Sequence, residues 1–372
     1  MKSINSILIN TSNLHSGGGV QVATSFIYEL NRMNKYDFGV VVSSVIYKEL
    51  VNLGVCTNCF NSFVVLDAKG ITALFDYKFQ KMLSSHRVVF TVFGPLYRWQ
   101  KPNKSIVGFA QPWIVYPHNE IYGSFSYLEK AKTTIKYFLQ WLFYLNSDQL
   151  IVELQHVMNR LHKRLNTQNL RISVISNCVS TIFLNRNQWS DLSYKNCSSR
   201  LTLGIVSREY PHKNLSILPS VLRILKEKYQ VEAKCLVTLT KEEWLSKDDE
   251  FREYIDNVGP ITVTQCPLFY NLLDGVIFPS LLECFSATPI EAMIMKKPVF
   301  ASDRLFVRQA CGDFVNYFNP VNSDSVAESV YNYIVMDNIQ QSHFIESAYD
   351  HALKYSNPSE RANKYIDIIE SV

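Results

Sequence analysis

Two doubly wound α/β domains are predicted by three observations. Short apolar runs alternate with helix-period segments, the alternation restarts after the polar stretch Asn185–Arg200, and 372 residues exceed one ordinary core. In the first half, Ile7-Leu8-Ile9 reads as a strand and Gly17-Gly18-Gly19 as a loop. Val22, Ala23, Phe26, Ile27 and Leu30 then mark one face of a helix. Strands recur at Phe38–Val42, Ser62–Leu66, Val88–Phe93, Ser105–Phe109 and Leu150-Ile151-Val152. A helix carrying Val157, Leu161 and Leu165 precedes a last strand at Arg171–Ile175.

Past the polar stretch, read as an interdomain linker, Leu201–Val206 is a strand and Leu215, Leu218, Leu222 and Leu225 mark a helix. Cys235–Leu239, Asp274–Phe278 and Pro298–Ala301 complete the strand pattern. The expected domains are residues 1–184 and 185–355, facing across a cleft, with a C-terminal helix over about 356–372 that packs back onto the first. Alternation of this kind makes both sheets parallel, with helices on both faces.

Composition narrows the function. Apolar residues make up 47% and charged residues 19%, which is globular, and the formal net charge of +4 falls far short of a nucleic-acid binder's excess. Of eight cysteines only Cys56 and Cys59 are close in sequence, and no second pair or histidine cluster completes a zinc site. Cys178, Cys197, Cys235, Cys266, Cys284 and Cys311 read as reduced thiols, which points to a reducing cytoplasm. Met1–Ser6 leads straight into a strand pattern without a secretory leader, and no apolar run reaches membrane-spanning length.

The most informative segment is Pro279–Met293, where Glu283 and Glu291 stand eight positions apart between a buried strand and a helix. Ligands of open α/β sheets bind outside the carboxyl ends of such strands. Glu291 has two readings. Thr288-Pro289-Ile290-Glu291 fits a capping box, with threonine as N-cap, and the same glutamate is also placed to meet a ligand. Glu283 has no such structural role, and the backbone N–H groups of Cys284-Phe285-Ser286 stand where an anion meets a helix N-terminus. In the second domain's first strand-to-helix loop, Arg208 and Lys213 are placed to hold a diphosphate; solvated surface charges are the plainer reading. Gly17-Gly18-Gly19 admits an anion close to the backbone or serves only as a turn.

Together, Gly17–Gly19, Val206–Lys213, the Ser176-Asn177 turn and Pro279–Met293 resemble the retaining glycosyltransferases of family 4, with the GT-B fold, along nearly the whole chain. Phe93-Gly94-Pro95 through Gly108–Pro112 resembles bacterial O-antigen and capsule members. The resemblance implies that Arg208 and Lys213 neutralise a nucleotide diphosphate, that Glu291 binds ribose hydroxyls, and that Glu283 approaches the donor sugar. Phe285, Ser286 and Ala287, with Gly18 and Gly19, would cradle phosphate, and His118 would stand near the transferred sugar or acceptor. The donor would be a nucleotide sugar and the acceptor an undecaprenyl-pyrophosphate-linked glycan at the inner face of the plasma membrane. The family's Glu-Gly-Phe-Gly is Glu283-Cys284-Phe285-Ser286 here, and its Gly-x-Pro is Lys296-Lys297-Pro298.

No Asp-x-Asp pattern is present, so neither metal nor cofactor is expected. A sugar-nucleotide epimerase and a non-catalytic nucleotide-sugar-binding subunit stand as alternatives. Residues 130–145, lysines leading into an aromatic-rich helix, fit either a core helix or a helix lying at a membrane surface, with Arg87, Arg98, Lys101 and Lys104 adding attraction to anionic lipid.

Overall fold

The computed structural model describes residues 6–100, 104–165, 170–194 and 200–372. The opening residues 1–5, Lys101, Cys197 and the end of the expected linker lie outside them. The chain forms two compact units. One comprises residues 1–118, 125–178 and 356–372, and the other 119–124 and 179–355.

The first unit is built on β1 (Ile7–Thr11), β2 (Gly39–Val42), β3 (Ser62–Val65), β4 (Val88–Thr91), β5 (Lys104–Gly108), β6 (Gln149–Val152) and β7 (Arg171–Val174). They pair in parallel in the order β3-β2-β1-β4-β5-β6-β7. Val40, Val41, Val42, Val88, Val89 and Phe90 are wholly buried, as expected of strands covered by helices on both faces. A helix opens at Gly18, with Gly17 as its N-cap at φ 71°, so two of the three glycines form the first helical turn. A left-handed φ there suits a residue without Cβ.

The C-terminal helix Pro358–Glu370 packs on that first helix. Tyr365 meets Phe26 and Phe90 with ring centroids 5.3 Å from each. Arg361, 2% exposed, donates to the Asn177 side chain and to the Val22 carbonyl, so the Ser176-Asn177 turn anchors this helix. Cys56 and Cys59 form a disulfide, a pairing their spacing did not settle. The arginines expected to attract lipid turn inward: Arg98 is buried and donates to Ser105 Oγ and the Asn146 carbonyl, and Arg87 donates to the Val372 carbonyl.

The second unit contains β8 (Leu201–Ile205), β9 (Ala233–Val237), β10 (Ile255–Asn257), β11 (Gly275–Phe278), β12 (Val299–Ser302) and β13 (Asn316–Phe318). All pair in parallel, in the order β10-β9-β8-β11-β12-β13. The expected linker belongs to this unit. Trp189 donates to the Ile182 carbonyl, Ser190 N to the Thr264 carbonyl and Gln265 to the Asp191 carbonyl.

Gly108 marks the tightest backbone approach, since a Cβ built there would lie 1.7 Å from the Val92 carbonyl oxygen. Backbone cannot yield as a flexible side chain does. Gly108→Ala should therefore cost at least about 1–3 kcal/mol in urea unfolding. Gly123→Ala, where a Cβ meets nothing within 4 Å, should cost little. Equal midpoints would contradict this packing.

Candidate functional site

The strand order of the second sheet reverses between β8 and β11, which are parallel neighbours. Their following loops leave the same edge in opposite directions and open a crevice at the carboxyl ends. The first loop, residues 206–214, carries Arg208 and Lys213. The second, residues 279–287, carries Glu283. Leu281 N donates to the His212 carbonyl at 2.7 Å and ties the two loops together.

Lys213 Nζ lies 2.8 Å from Glu283 Oε1. Both side chains are largely buried, at 15% and 11% exposure, so water screens the pair weakly. The ammonium also sits 5.6 Å from the Phe278 ring centroid. Asn214, in left-handed geometry at φ 56°, follows the lysine and anchors to the Pro320 carbonyl through Nδ2. His212 stacks on Tyr210 at 5.4 Å. Burial, helped by Lys213 and opposed by Glu283, lowers its pKa to about 4, so the imidazole is neutral at pH 7.

Arg208 is more exposed and is held from another direction. Its Nε donates to both carboxylate oxygens of Glu243, at 2.9 and 3.0 Å. That carboxylate also accepts from Glu209 N and Thr240 N, the latter closing a capping box on the helix Lys241–Leu245. Burial raises the Glu243 pKa, but the Thr240 and Arg208 hydrogen bonds outweigh it and hold it below the usual value. Because the contact uses Nε, the guanidinium keeps its Nη groups for other acceptors.

Glu291 does not cap its helix. The helix runs Thr288–Ile294 with Ala287 as N-cap and no side-chain cap bond, so Thr288 is already helical. The Glu291 carboxylate instead accepts from Tyr270 OH at 2.9 Å. Tyr270 is fully buried. Glu291 as a residue keeps some surface, yet its carboxyl is desolvated. Burial raises its pKa to about 7, with the Tyr270 bond pulling the other way.

Arg208, Lys213, Glu283 and Glu291 therefore all come from the carboxyl edge of the second sheet and the helix that follows it. Phe285, Ser286 and Ala287 form the partly exposed run before that helix, and Phe285 packs 6.2 Å from Tyr355. Cys284 is buried. Gly18, Gly19 and His118 belong to the first unit: the glycines in the opening turn of its first helix, the histidine on an exposed bend. A Cβ on Gly18 would meet nothing within 4 Å, so the fold's own packing does not require glycine there. Tyr270, Glu243 and His212 are the participants that spacing missed. Among the described residues no cluster of three or more His, Cys, Asp or Glu side chains could hold a metal ion.

The buried carboxyl gives a signed pH dependence. Below 4.5, the ordinary value of a glutamate, the Glu291 carboxyl is protonated in both folded and unfolded chains. Above about 7 the fold must carry it charged. Wild type should therefore lose stability relative to Glu291→Gln as pH rises between these values, by about 3 kcal/mol in total. Urea unfolding at several pH values measures the difference, and a pH-independent gap would contradict a desolvated carboxyl.

Comparison with known proteins bears on the fold and on the segment that carries these loops. Residues 195–351 match the family model of glycosyl transferases group 1. The O-antigen chain mannosyltransferase RfbU of Salmonella typhimurium is 24% identical over 178 residues, about half of each chain (47% of this one and 48% of RfbU). Sucrose-phosphate synthase from Thermosynechococcus elongatus shares the fold over 99% of both chains with a TM-score of 0.72 at 11% identity. Anabaena HepE, solved with UDP-glucose, covers 100% of both chains with a TM-score of 0.71 at 13% identity. The chain thus has the GT-B fold of these structures, and its residues 195–351 resemble the glycosyl transferases group 1.

Proposed function

We propose that the protein is a glycosyltransferase that moves a hexose from a nucleotide-diphosphate donor to a lipid-linked, O-antigen-like glycan, with retention of configuration and without a metal. The observation that carries this reading is the Lys213–Glu283 pair, at 2.8 Å, at the edge where the second sheet reverses, with Arg208 on the same loop. The relative named an O-antigen mannosyltransferase and the neighbour solved with UDP-glucose support the substrate classes.

In this reading the leaving diphosphate is the main electrostatic problem, and fixed cations answer it before the sugar–phosphate bond breaks. Lys213 is the buried cation. Glu283 neutralises it while the site holds no anion, and reaches the donor sugar once phosphate takes the lysine. Arg208, steered by Glu243, presents its remaining N–H groups to the phosphates. Ser286 and Ala287 offer backbone N–H donors, and the resemblance gives Gly18 and Gly19 a phosphate-binding role. Glu291 accepts hydrogen bonds from the ribose hydroxyls, which favour its charged form and offset the burial that raises its pKa. The resemblance gives His118 a role with the transferred sugar or the acceptor. The acceptor is an undecaprenyl-pyrophosphate-linked glycan, which puts the enzyme in the cytoplasm at the inner face of the plasma membrane, in contact through residues 130–145.

A thermal-shift panel with UDP-, GDP- and ADP-sugars tests the donor site. One nucleotide class should raise the melting temperature; at a hundredfold excess over Kd the stabilisation is about 2.7 kcal/mol. Lys213→Ala and Glu291→Gln, each read against its own ligand-free melt, should lose most of that shift. Unchanged shifts in both variants would place the nucleotide elsewhere.

A further inference from the structure

The helix Tyr127–Leu145 has two apolar faces, and the fold uses only one. The inner face is aromatic. Trp141 and Tyr144 are buried, Tyr144 lies 4.7 Å from Phe109, and Tyr137 stacks on Trp113 at 5.5 Å. The outer stripe is Leu128, Ile135, Phe138, Leu139, Leu142 and Leu145, mostly three or four residues apart and each between 41% and 64% exposed. An i, i+3, i+4 stripe normally faces a core, and this one faces solvent. Exposed leucines scattered singly are ordinary, but six on one continuous stripe mark a surface that docks.

The charges beside the stripe select its partner. Lys132 stands four residues after Leu128 and three before Ile135, and Lys136 three before Leu139, so both border the stripe, and both are exposed. Lys130 lies on the other flank, 5.7 Å from the Tyr127 ring. The helix's one acid, Glu129, is engaged in a capping box with Ser126. An apolar stripe edged by lysines is complementary to an anionic lipid surface, whose acyl boundary takes the leucines and whose headgroups meet the ammonium groups. A second copy suits it less well, because a two-fold contact sets the same patch against itself and brings lysines toward lysines. Among the described residues no helix is long and apolar enough to cross a membrane.

We propose that Tyr127–Leu145 lies in the plane of an anionic membrane surface, its outer stripe seated at the acyl boundary and Lys130, Lys132 and Lys136 at headgroup level. This deepens the membrane contact of the proposed function by naming the face, the seating and the lipid charge, and it is independent of the donor chemistry.

The test is flotation of the full chain with vesicles of phosphatidylcholine alone or mixed with phosphatidylglycerol. Wild type should float with the anionic vesicles, less so at high salt. Lys132→Glu/Lys136→Glu and Phe138→Asp/Leu142→Asp should each lower the bound fraction about tenfold or more. Thermal melts report folding, and Phe138→Ser carries the test if the aspartates unfold the chain. Nucleotide-induced shifts unchanged in these variants separate a failure of docking from a failure of the donor reading. Absence of wild-type flotation at low salt, or flotation undiminished in Phe138→Asp/Leu142→Asp, overturns the proposal. So does a wild-type dimer in light scattering that this variant dissolves while neither binds vesicles.

Discussion

The reversal of strand order between β8 and β11 is the constraint on which the chemistry depends. In a parallel sheet each loop must carry the chain to one face or the other. Where the order reverses, two neighbouring strands send their loops opposite ways and leave a crevice. The bond from Leu281 N to the His212 carbonyl fixes the two loops to one another. Lys213 and Glu283 thereby come within 2.8 Å although 70 residues separate them.

Each cation of the site has its own carboxylate, in a different solvent environment. Arg208 with Glu243 is partly exposed, and its neutralisation is cheap to rearrange. Lys213 with Glu283 is nearly dry, so removing either partner strands a charge in the interior. In each of these pairs the cation is neutralised by its own carboxylate. Glu291, pushed toward protonation by burial, is the third element, and it lies on the helix that follows the same loop.

The two-sheet architecture was legible because buried parallel strands read as compact Val- and Ile-rich runs. β10 and β13 were not, since Ile255-Asp256-Asn257 and Asn316-Tyr317-Phe318 are three residues long and partly polar. The four charged residues of the candidate site were singled out by their place after strands and by family resemblance. What their side chains touch was not legible. Tyr270 lies 21 residues from Glu291 and Glu243 lies 35 from Arg208, beyond any local pattern. The capping-box motif misled for a local reason, because the helix starts one residue earlier than the threonine suggests. The basic cluster around Arg87 and Arg98 misled for the opposite reason. A guanidinium reads as surface in sequence, yet it is buried where enough carbonyls and hydroxyls surround it.

The central claim is that the β8 and β11 loops form one anion-binding site. Hydrogen–deuterium exchange with and without the stabilising nucleoside diphosphate addresses it directly, because bound phosphate protects the backbone N–H groups it engages. The account predicts new protection concentrated in residues 206–214 and 279–291. Protection confined to other segments, with these two unchanged while nucleotide is bound, would contradict it.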